Sequence, residues 1–141
     1  MNIQNIAVSS TDIELGSAPI VPEWILEGMP EARNRLLFKS RDGTASTMLW
    51  DCTAGIFNWF YNCDETIHVL EGGVTLTTAE GTREVRAGDA VFFPAGSWAT
   101  WRVDSYIRKV AFLRHPLPLP ASWVLRAWRR YGPKKPSPLL S

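Results

Sequence analysis

The sequence is poor in cysteine and histidine, with two of each among 141 residues. Two cysteines, Cys52 and Cys63, are too few for the disulfide framework of a small secreted domain. No apolar run approaches the roughly 20 residues that a membrane-spanning helix needs. No basic residue precedes Arg33, so a secretory signal with a positively charged start is not indicated. The sequence therefore predicts a cytoplasmic protein whose two cysteines are reduced and buried.

Acidic residues are missing from the last part of the chain. Residues 1–104 include 14 acidic and seven basic side chains, whereas residues 105–141 include eight basic side chains and no acidic one. Such asymmetry indicates a tail that meets an acidic partner: a nucleic acid, a membrane, a second subunit or the acidic body of the same chain. No nucleic-acid-binding signature accompanies the charge. We therefore favour packing on the barrel or on a second subunit over nucleic acid or a membrane.

Long helical patterns are also scarce. From Asp42-Gly43 onward, short segments rich in β-branched and aromatic residues alternate with turn residues such as Gly55, Gly72-Gly73 and Pro94-Ala95-Gly96. Many short strands at even spacing predict an all-β sandwich or barrel. The predicted strands are residues 47–52, 57–61, 66–70, 74–78, 83–86, 90–93, 100–103 and 107–113.

Three regions follow from this pattern. Residues 1–21 form an arm that lies over the surface or adds an edge strand, residues 22–115 form the barrel, and residues 116–141 form a proline-rich linker and a basic segment. Pro116, Pro118 and Pro120 predict a stiff extended linker.

A short C-terminal helix is expected within the basic segment. Ser122 is a candidate cap, the helix runs to about Tyr131, and Gly132-Pro133 ends it. Trp123 and Tyr131 share one face of this helix, which is expected to pack on the barrel or on a second subunit.

Two segments carry a resemblance to a known family. They are Glu65-Thr-Ile-His-Val-Leu-Glu-Gly72 and, 15 residues later, Gly88-Asp-Ala-Val-Phe-Phe-Pro94-Ala-Gly96. The pair resembles the two motifs of the cupin superfamily, which implies a single-domain jelly-roll β-barrel and often a homodimer. Further residues resemble the small cupin domain of ureidoglycine aminohydrolase: Asp51, Trp98, Trp101 and Arg108-Lys109.

The resemblance also implies a metal site of histidines and one glutamate, and here the sequence departs from it. Glu65 matches the carboxylate ligand, but the first two histidine positions hold Trp59 and Tyr61, or Asn58 and Phe60 with the longer spacing, and the third holds Ala99. First-row metals need several nitrogen, oxygen or sulfur donors that converge on one point. Because Glu65 alone cannot supply them, no metal and no other cofactor is predicted.

Strand parity predicts what the interior contains instead. Side chains alternate along a strand, so Ile67 and Val69 face the same cavity as Glu65 and His68 faces away. On the neighbouring strands, the alignment with the cupin motifs implies that Trp59, Tyr61, Ala99 and Trp101 face inward. The result is an aromatic cup with one carboxylate, room at Ala99, and Lys109 near its mouth. The predicted ligand-binding residues are Trp59, Tyr61, Glu65, Ala99, Trp101 and Lys109.

A filled barrel is the alternative to this cup, because small barrels fill themselves with side chains. Glu65 argues against it, since a carboxylate is rarely buried without a partner. Glu65 is therefore expected to pair with Lys109 or an arginine, to face a wet cavity, or to stay protonated.

Three functions are compatible with these residues. The favoured one is metal-independent binding of a small polar metabolite, amine-bearing or ureide-like. The second is a hydrolase or isomerase of nitrogenous metabolites that uses Glu65 as general acid/base with Tyr61 or Lys109 assisting. The third is a structural or regulatory dimeric module that acts through its basic C-terminal arm. The residues leave open whether the protein is an enzyme.

Overall fold

The computed structural model describes residues 5–116 and 119–132. A single 3-10 turn, Pro22–Trp24, precedes the second strand in this part of the chain. None of the helices in these ranges combines the length and apolarity that crossing a membrane requires. The elements are β1 (Gly16–Ser17), β2 (Ile25–Gly28), β3 (Ala32–Lys39), β4 (Ala45–Phe60), β5 (Asp64–Thr78), β6 (Gly81–Arg86), β7 (Ala90–Phe93), β8 (Trp98–Arg114) and α1 (Leu119–Tyr131).

Three long strands, β4, β5 and β8, run through a single antiparallel sheet of eight strands, and their two halves form the two sides of it, called here the first and the second sheet. In the first sheet, the first half of β4 pairs with the second half of β8, which pairs with the first half of β5. β3 and β1 extend this sheet beyond β4, and β7 extends it beyond β5. In the second sheet, the remaining halves pair in the same order, with β2 and β6 at the edges. The predicted all-β jelly-roll is confirmed.

The long strands differ from the sequence prediction, which divided each of them in two. Gly55 and Gly72 were expected to separate strands, but both lie inside one. The pairing register shifts between Thr53 and Gly55 on β4, and between Gly72 and Thr75 on β5. At both shifts the extra residues lie on the partner strand β8. Such irregularities raise the local twist and bend the paired strands without reversing the chain. Gly72 has φ of 70°, and a Cβ there would overlap the carbonyl of Tyr106.

The main core lies between the two sheets and is rich in aromatic side chains. A smaller cluster lies on the outer face of the first sheet, where Leu15 of the N-terminal arm covers Leu49 and Val110. The Arg108 guanidinium fastens this arm, since Nη2 donates to the carbonyl of Thr11 at 2.8 Å. The arm also supplies β1 at the edge of the sheet.

Helix α1 begins earlier than the sequence indicates. Its first residue is Leu119, so Pro120 lies in the first turn and Ser122 lies inside the helix. The linker predicted to extend through Pro120 and the cap predicted at Ser122 are therefore wrong. Proline is tolerated in the first turn because its missing N–H has no partner there in any case. The N–H of Gly132 donates to the carbonyl of Trp128 at 2.7 Å, at the predicted end of the helix.

The apolar face of α1 stays open. Trp123 is 64% exposed and Tyr131 is 78% exposed. The expected packing of this face on the barrel of its own chain is therefore wrong, and packing on a second subunit stays a prediction. Pro118, Pro133 and the residues after it lie outside the described residues.

Candidate functional site

A buried ion pair lies between the two sheets. Glu65, near the start of β5, and Lys109, on the second half of β8, both point inward. The Lys109 ammonium donates to Glu65 Oε2 at 3.0 Å. Their side chains are 9% and 8% exposed, whereas Phe57 and Ile67 of the same core are fully enclosed. The pair is therefore removed from water on most sides, with less than a tenth of each side chain exposed.

Two indole rings hold the Lys109 ammonium. The register places Lys109 opposite Trp50 on β4, and its Nζ lies 4.7 Å from the centroid of the Trp50 ring. The same atom lies 4.8 Å from the centroid of the Trp101 ring. The negative face of an aromatic ring attracts a cation, most strongly where water is excluded. The rings thus offset part of the cost of removing the ammonium from water.

Tyr61 joins the site through its hydroxyl group and its ring. Trp101 Nε1–H donates to the Tyr61 hydroxyl oxygen at 2.9 Å. The Tyr61 ring stacks on Phe93 at a centroid distance of 4.2 Å. Burial, reinforced by the charge of Glu65, raises the pKa of Tyr61. Tyr61 is therefore a neutral phenol that forms hydrogen bonds, and it is neither an anionic metal ligand nor a base at neutral pH.

Tryptophans form the wall around this pair. Trp59 packs edge-on against Trp50 at a centroid distance of 6.0 Å and against Trp24 at 5.4 Å. Ala99 is buried and lies opposite Trp59 in the register of β4 and β8. All six residues predicted to line the cup thus belong to the main core or pack directly against it.

Trp50, Trp24 and Phe93 also belong to the site and were missed in the sequence. Trp50 and Trp59 both face inward although their positions have opposite parity. The register shift between Thr53 and Gly55 accompanies this change of parity, so recognising an irregularity near Gly55 would have identified Trp50. Trp24 precedes the motifs and carries no pattern that places it beside them.

The residues of this site do not fit a metal ion. Within the described part of the chain, no three His, Cys, Asp or Glu side chains are grouped as a metal site requires. Lys109 occupies one oxygen of Glu65, and Tyr61 keeps its proton. Trp59 and Ala99 supply no donor atom. The interior is therefore suited to hydrogen bonding and aromatic contact.

The other candidate residues lie elsewhere. His68 and His115 are exposed, and Asp89 accepts a hydrogen bond from the backbone N–H of Arg86 in the turn before β7. Cys52 and Cys63 are free and buried. Burial raises the pKa of Cys52 to about 12, so it is a protonated, unreactive thiol at neutral pH.

Asp51 lies on the opposite face of β4 from Trp50 and takes no part in the site. Its carboxylate accepts hydrogen bonds from the Arg33 guanidinium and from the Tyr106 hydroxyl, and Arg108 Nη1 lies 3.6 Å away. Burial acts to raise the pKa of Asp51, but the hydrogen bonds from Arg33 and Tyr106 outweigh it and lower the pKa. This network holds Arg108, which in turn holds the N-terminal arm.

An open groove of about 780 Å³ lies between the edge strands β6 and β7, which do not pair with each other. Leu76, Val85 and Phe93 contribute apolar surface to it. Phe93 belongs to both places, since its ring also packs on Tyr61. The groove is therefore separated from the Glu65–Lys109 pair by the aromatic side chains of the site itself.

Comparison with known proteins gives one family. A family model described as a EutQ-like cupin domain matches residues 39–111, just over half of the chain. No significant match is found among curated proteins.

Solved structures give similar folds. A putative ethanolamine utilization protein Q from Salmonella typhimurium has 25% identity and a TM-score of 0.54, over 60% of this chain and 69% of that one. A protein of unknown function from Pseudomonas syringae also has 25% identity, with a TM-score of 0.68 over 74% of this chain and 46% of that one. A polyketide cyclase from Streptomyces resistomycificus shares the fold, with 23% identity and a TM-score of 0.59 over 82% of each chain.

Proposed function

We propose that this chain, which belongs to the EutQ-like cupin domain family, binds a small polar metabolite at the Glu65–Lys109 pair without a metal ion. The single observation that carries the proposal is the buried ion pair between indole rings, which remains partly accessible.

The energetics of the pair support a binding role. Removing two charges from water costs several kcal/mol per ion, and apolar side chains of similar volume are often equally or more stabilising. The barrel already contains a well-packed aromatic core that would enclose two more apolar residues readily. An ion pair in this position is therefore better explained by a ligand than by stability.

The chemistry of the pair selects the ligand class. A carboxylate accepts hydrogen bonds, an ammonium donates them, and the two lie side by side. A ureide group offers the complement, because its C=O can accept from Lys109 while its N–H donates to Glu65. A second ammonium fits less well, since Lys109 already neutralises Glu65. The sequence resemblance to the ureidoglycine aminohydrolase cupin domain, carried in part by Trp101 and Lys109, is a further reason to propose a ureide-like ligand.

A thermal-shift screen tests this proposal. The panel contains N-methylurea and larger ureides, simple sugars, and amines including ethanolamine, which the name of the Salmonella ethanolamine utilization protein suggests. A ligand at 100 times its Kd stabilises the folded state by about 2.7 kcal/mol, which shifts Tm by several degrees. Glu65→Gln should abolish the shift, whereas the exposed Glu84→Gln should retain it. No hit, or an undiminished hit with Glu65→Gln, would overturn the proposal.

Catalysis is a second candidate, favoured by one observation. Glu65 and Lys109 are a carboxylate and an ammonium held side by side, and such groups can accept and donate a proton in general acid–base chemistry. If the protein is a hydrolase or isomerase, the best ligand of the screen should be converted in an overnight reaction followed by NMR. Conversion by the wild type that is lost with Glu65→Gln supports catalysis, and an unchanged ligand supports binding alone.

A further inference from the structure

Helix α1 presents an apolar face to solvent. At about 100° per residue, Trp123, Val124, Trp128 and Tyr131 lie on one side of the helix, and each is between 63% and 78% exposed. The opposite side carries Arg126 and Arg129. No acidic residue occurs between Leu119 and Tyr131. Single exposed apolar residues are ordinary, but a contiguous aromatic face of this kind marks an interaction surface.

The groove between β6 and β7 has the complementary character. Its lining includes buried Leu76 and Val85 together with the exposed rings of Phe92 and Trp98, which are 59% and 54% exposed. Three carboxylates and one guanidinium also line it: Glu80, Glu84, Asp89 and Arg83. Glu84 is paired with the Arg86 guanidinium at 2.8 Å, which leaves Glu80 and Asp89 against Arg83. This apolar surface with a small acidic excess matches an aromatic helix face flanked by arginines.

From this match we infer that α1 of one copy of the chain docks in the β6–β7 groove of a second copy. Within one chain, the groove is lined by no residue of α1, so both surfaces stay open in the described structure. In a two-fold symmetric dimer, each copy gives its helix and receives the partner's helix, and all four surfaces are covered at once.

The area that this exchange buries is sufficient for a stable dimer. Aromatic side chains bury about 150–250 Å² each, so three partly exposed rings contribute on the order of 400 Å² per helix. The groove buries a similar surface area against the helix, and a two-fold symmetric dimer contains two such contacts. The total is on the order of 1,600 Å², the size of a standard specific interface.

The exchange would also cover part of the wall of the ligand site. Phe93 lines the groove on one side and stacks on Tyr61 on the other. A helix seated in the groove would therefore cover the outer side of Phe93, whose ring packs on Tyr61 of the ligand site. Dimer formation is measured by mass, however, so its test is independent of ligand binding.

Two surface variants test the inference by sedimentation equilibrium of the full chain. The helix variant carries Trp123→Ser and Trp128→Ser, and the groove variant carries Glu80→Lys and Glu84→Lys. These four side chains are exposed, so both variants should fold. The wild type should sediment as a dimer, and each variant alone should show a Kd for dimerisation at least tenfold higher.

Mixing the two variants distinguishes exchange between copies from docking within one chain. The helix variant keeps an intact groove and the groove variant keeps an intact helix, so their mixture should form a heterodimer with one complete contact. As a matched control, Phe112→Ser alters an exposed ring on the outer face of the first sheet and should leave the Kd unchanged.

Four outcomes would overturn the inference. They are a monomeric wild type, a dimer that neither variant weakens, a dimer that only Phe112→Ser weakens, and a mixture without heterodimer. Binding of a monomeric wild type to anionic phosphatidylserine vesicles, lost in the helix variant, would identify a membrane surface as the partner instead.

Discussion

Lys109 and Glu65 form an ion pair at 3.0 Å inside an otherwise apolar barrel, and the same ammonium contacts the rings of Trp50 and Trp101. Each of the four side chains depends on the others. The buried Glu65 carboxylate is stabilised by the Lys109 ammonium. The ammonium has lost its hydration water, and the faces of the two indole rings take the place of that water. The pair lies where the family resemblance implies a metal ion. In this barrel the positive charge beside the Glu65 carboxylate is the ammonium of Lys109.

Lys109→Met tests how strongly the pair is coupled. The substitution leaves the Glu65 carboxylate buried without a cation, which should lower the free energy of unfolding by about 3–5 kcal/mol. Urea denaturation at pH 7 measures the change. Arg86→Met is the control, because the Arg86–Glu84 pair is 78% and 69% exposed and should contribute little. Equal effects of the two substitutions would contradict a buried, coupled pair.

Asp51→Asn tests the network on the outer face. The amide cannot satisfy Arg33, Arg108 and Tyr106 together, so the variant should lose about 1–3 kcal/mol at pH 7. The folded-state pKa of Asp51 is lowered, so its carboxylate stabilises the fold above the unfolded value near 3.9.

The difference between wild type and Asp51→Asn should therefore be largest near neutral pH. It should shrink as the pH falls below about 4 and vanish below the lowered folded-state pKa. Unfolding measured between pH 2.5 and 7 follows this change. A difference that stays constant over the range would show that the charge of Asp51 has no part in the network.

Tyr61→Phe tests the hydrogen bond within the aromatic wall. The ring can keep its stack on Phe93, but the buried Trp101 Nε1–H loses its acceptor. An unsatisfied buried donor costs about 1–3 kcal/mol, and thermal unfolding should show a lower Tm with an unchanged far-UV spectrum. An unchanged Tm would mean that another group or a water molecule accepts the hydrogen bond from the Trp101 Nε1–H.

Gly72→Ala tests why a glycine is needed at the bend in β5. Gly88→Ala is the comparison, because Gly88 also has a positive φ. Gly72 and Gly88 have φ of 70° and 95°, so alanine is strained at both, by about 1–2 kcal/mol. Only at Gly72 would the Cβ also overlap the Tyr106 carbonyl, whereas the space at Gly88 is open. Gly72→Ala should therefore lower Tm clearly more than Gly88→Ala. Equal decreases in Tm for the two variants would show that the close approach of the Tyr106 carbonyl is not the reason for a glycine at position 72.

The sequence predicted the fold and the inward position of the six candidate residues because spaced motifs and strand alternation are local properties. That these residues bind a ligand stays a prediction. The sequence did not predict how many strands there are, since a glycine that bends a strand resembles one that ends it. Trp50 was missed for the same reason, as the irregularity near Gly55 accompanies a change in which positions face inward. Trp24 and the open face of α1 depend on contacts between distant segments, which alternation and spacing do not encode.

Calorimetric titration of the best ureide from the screen tests the central claim most directly. Protein treated with EDTA and untreated protein should bind with the same Kd, and Glu65→Gln should not bind in either condition. Binding that disappears after EDTA and returns with iron, manganese, nickel or zinc would contradict the account.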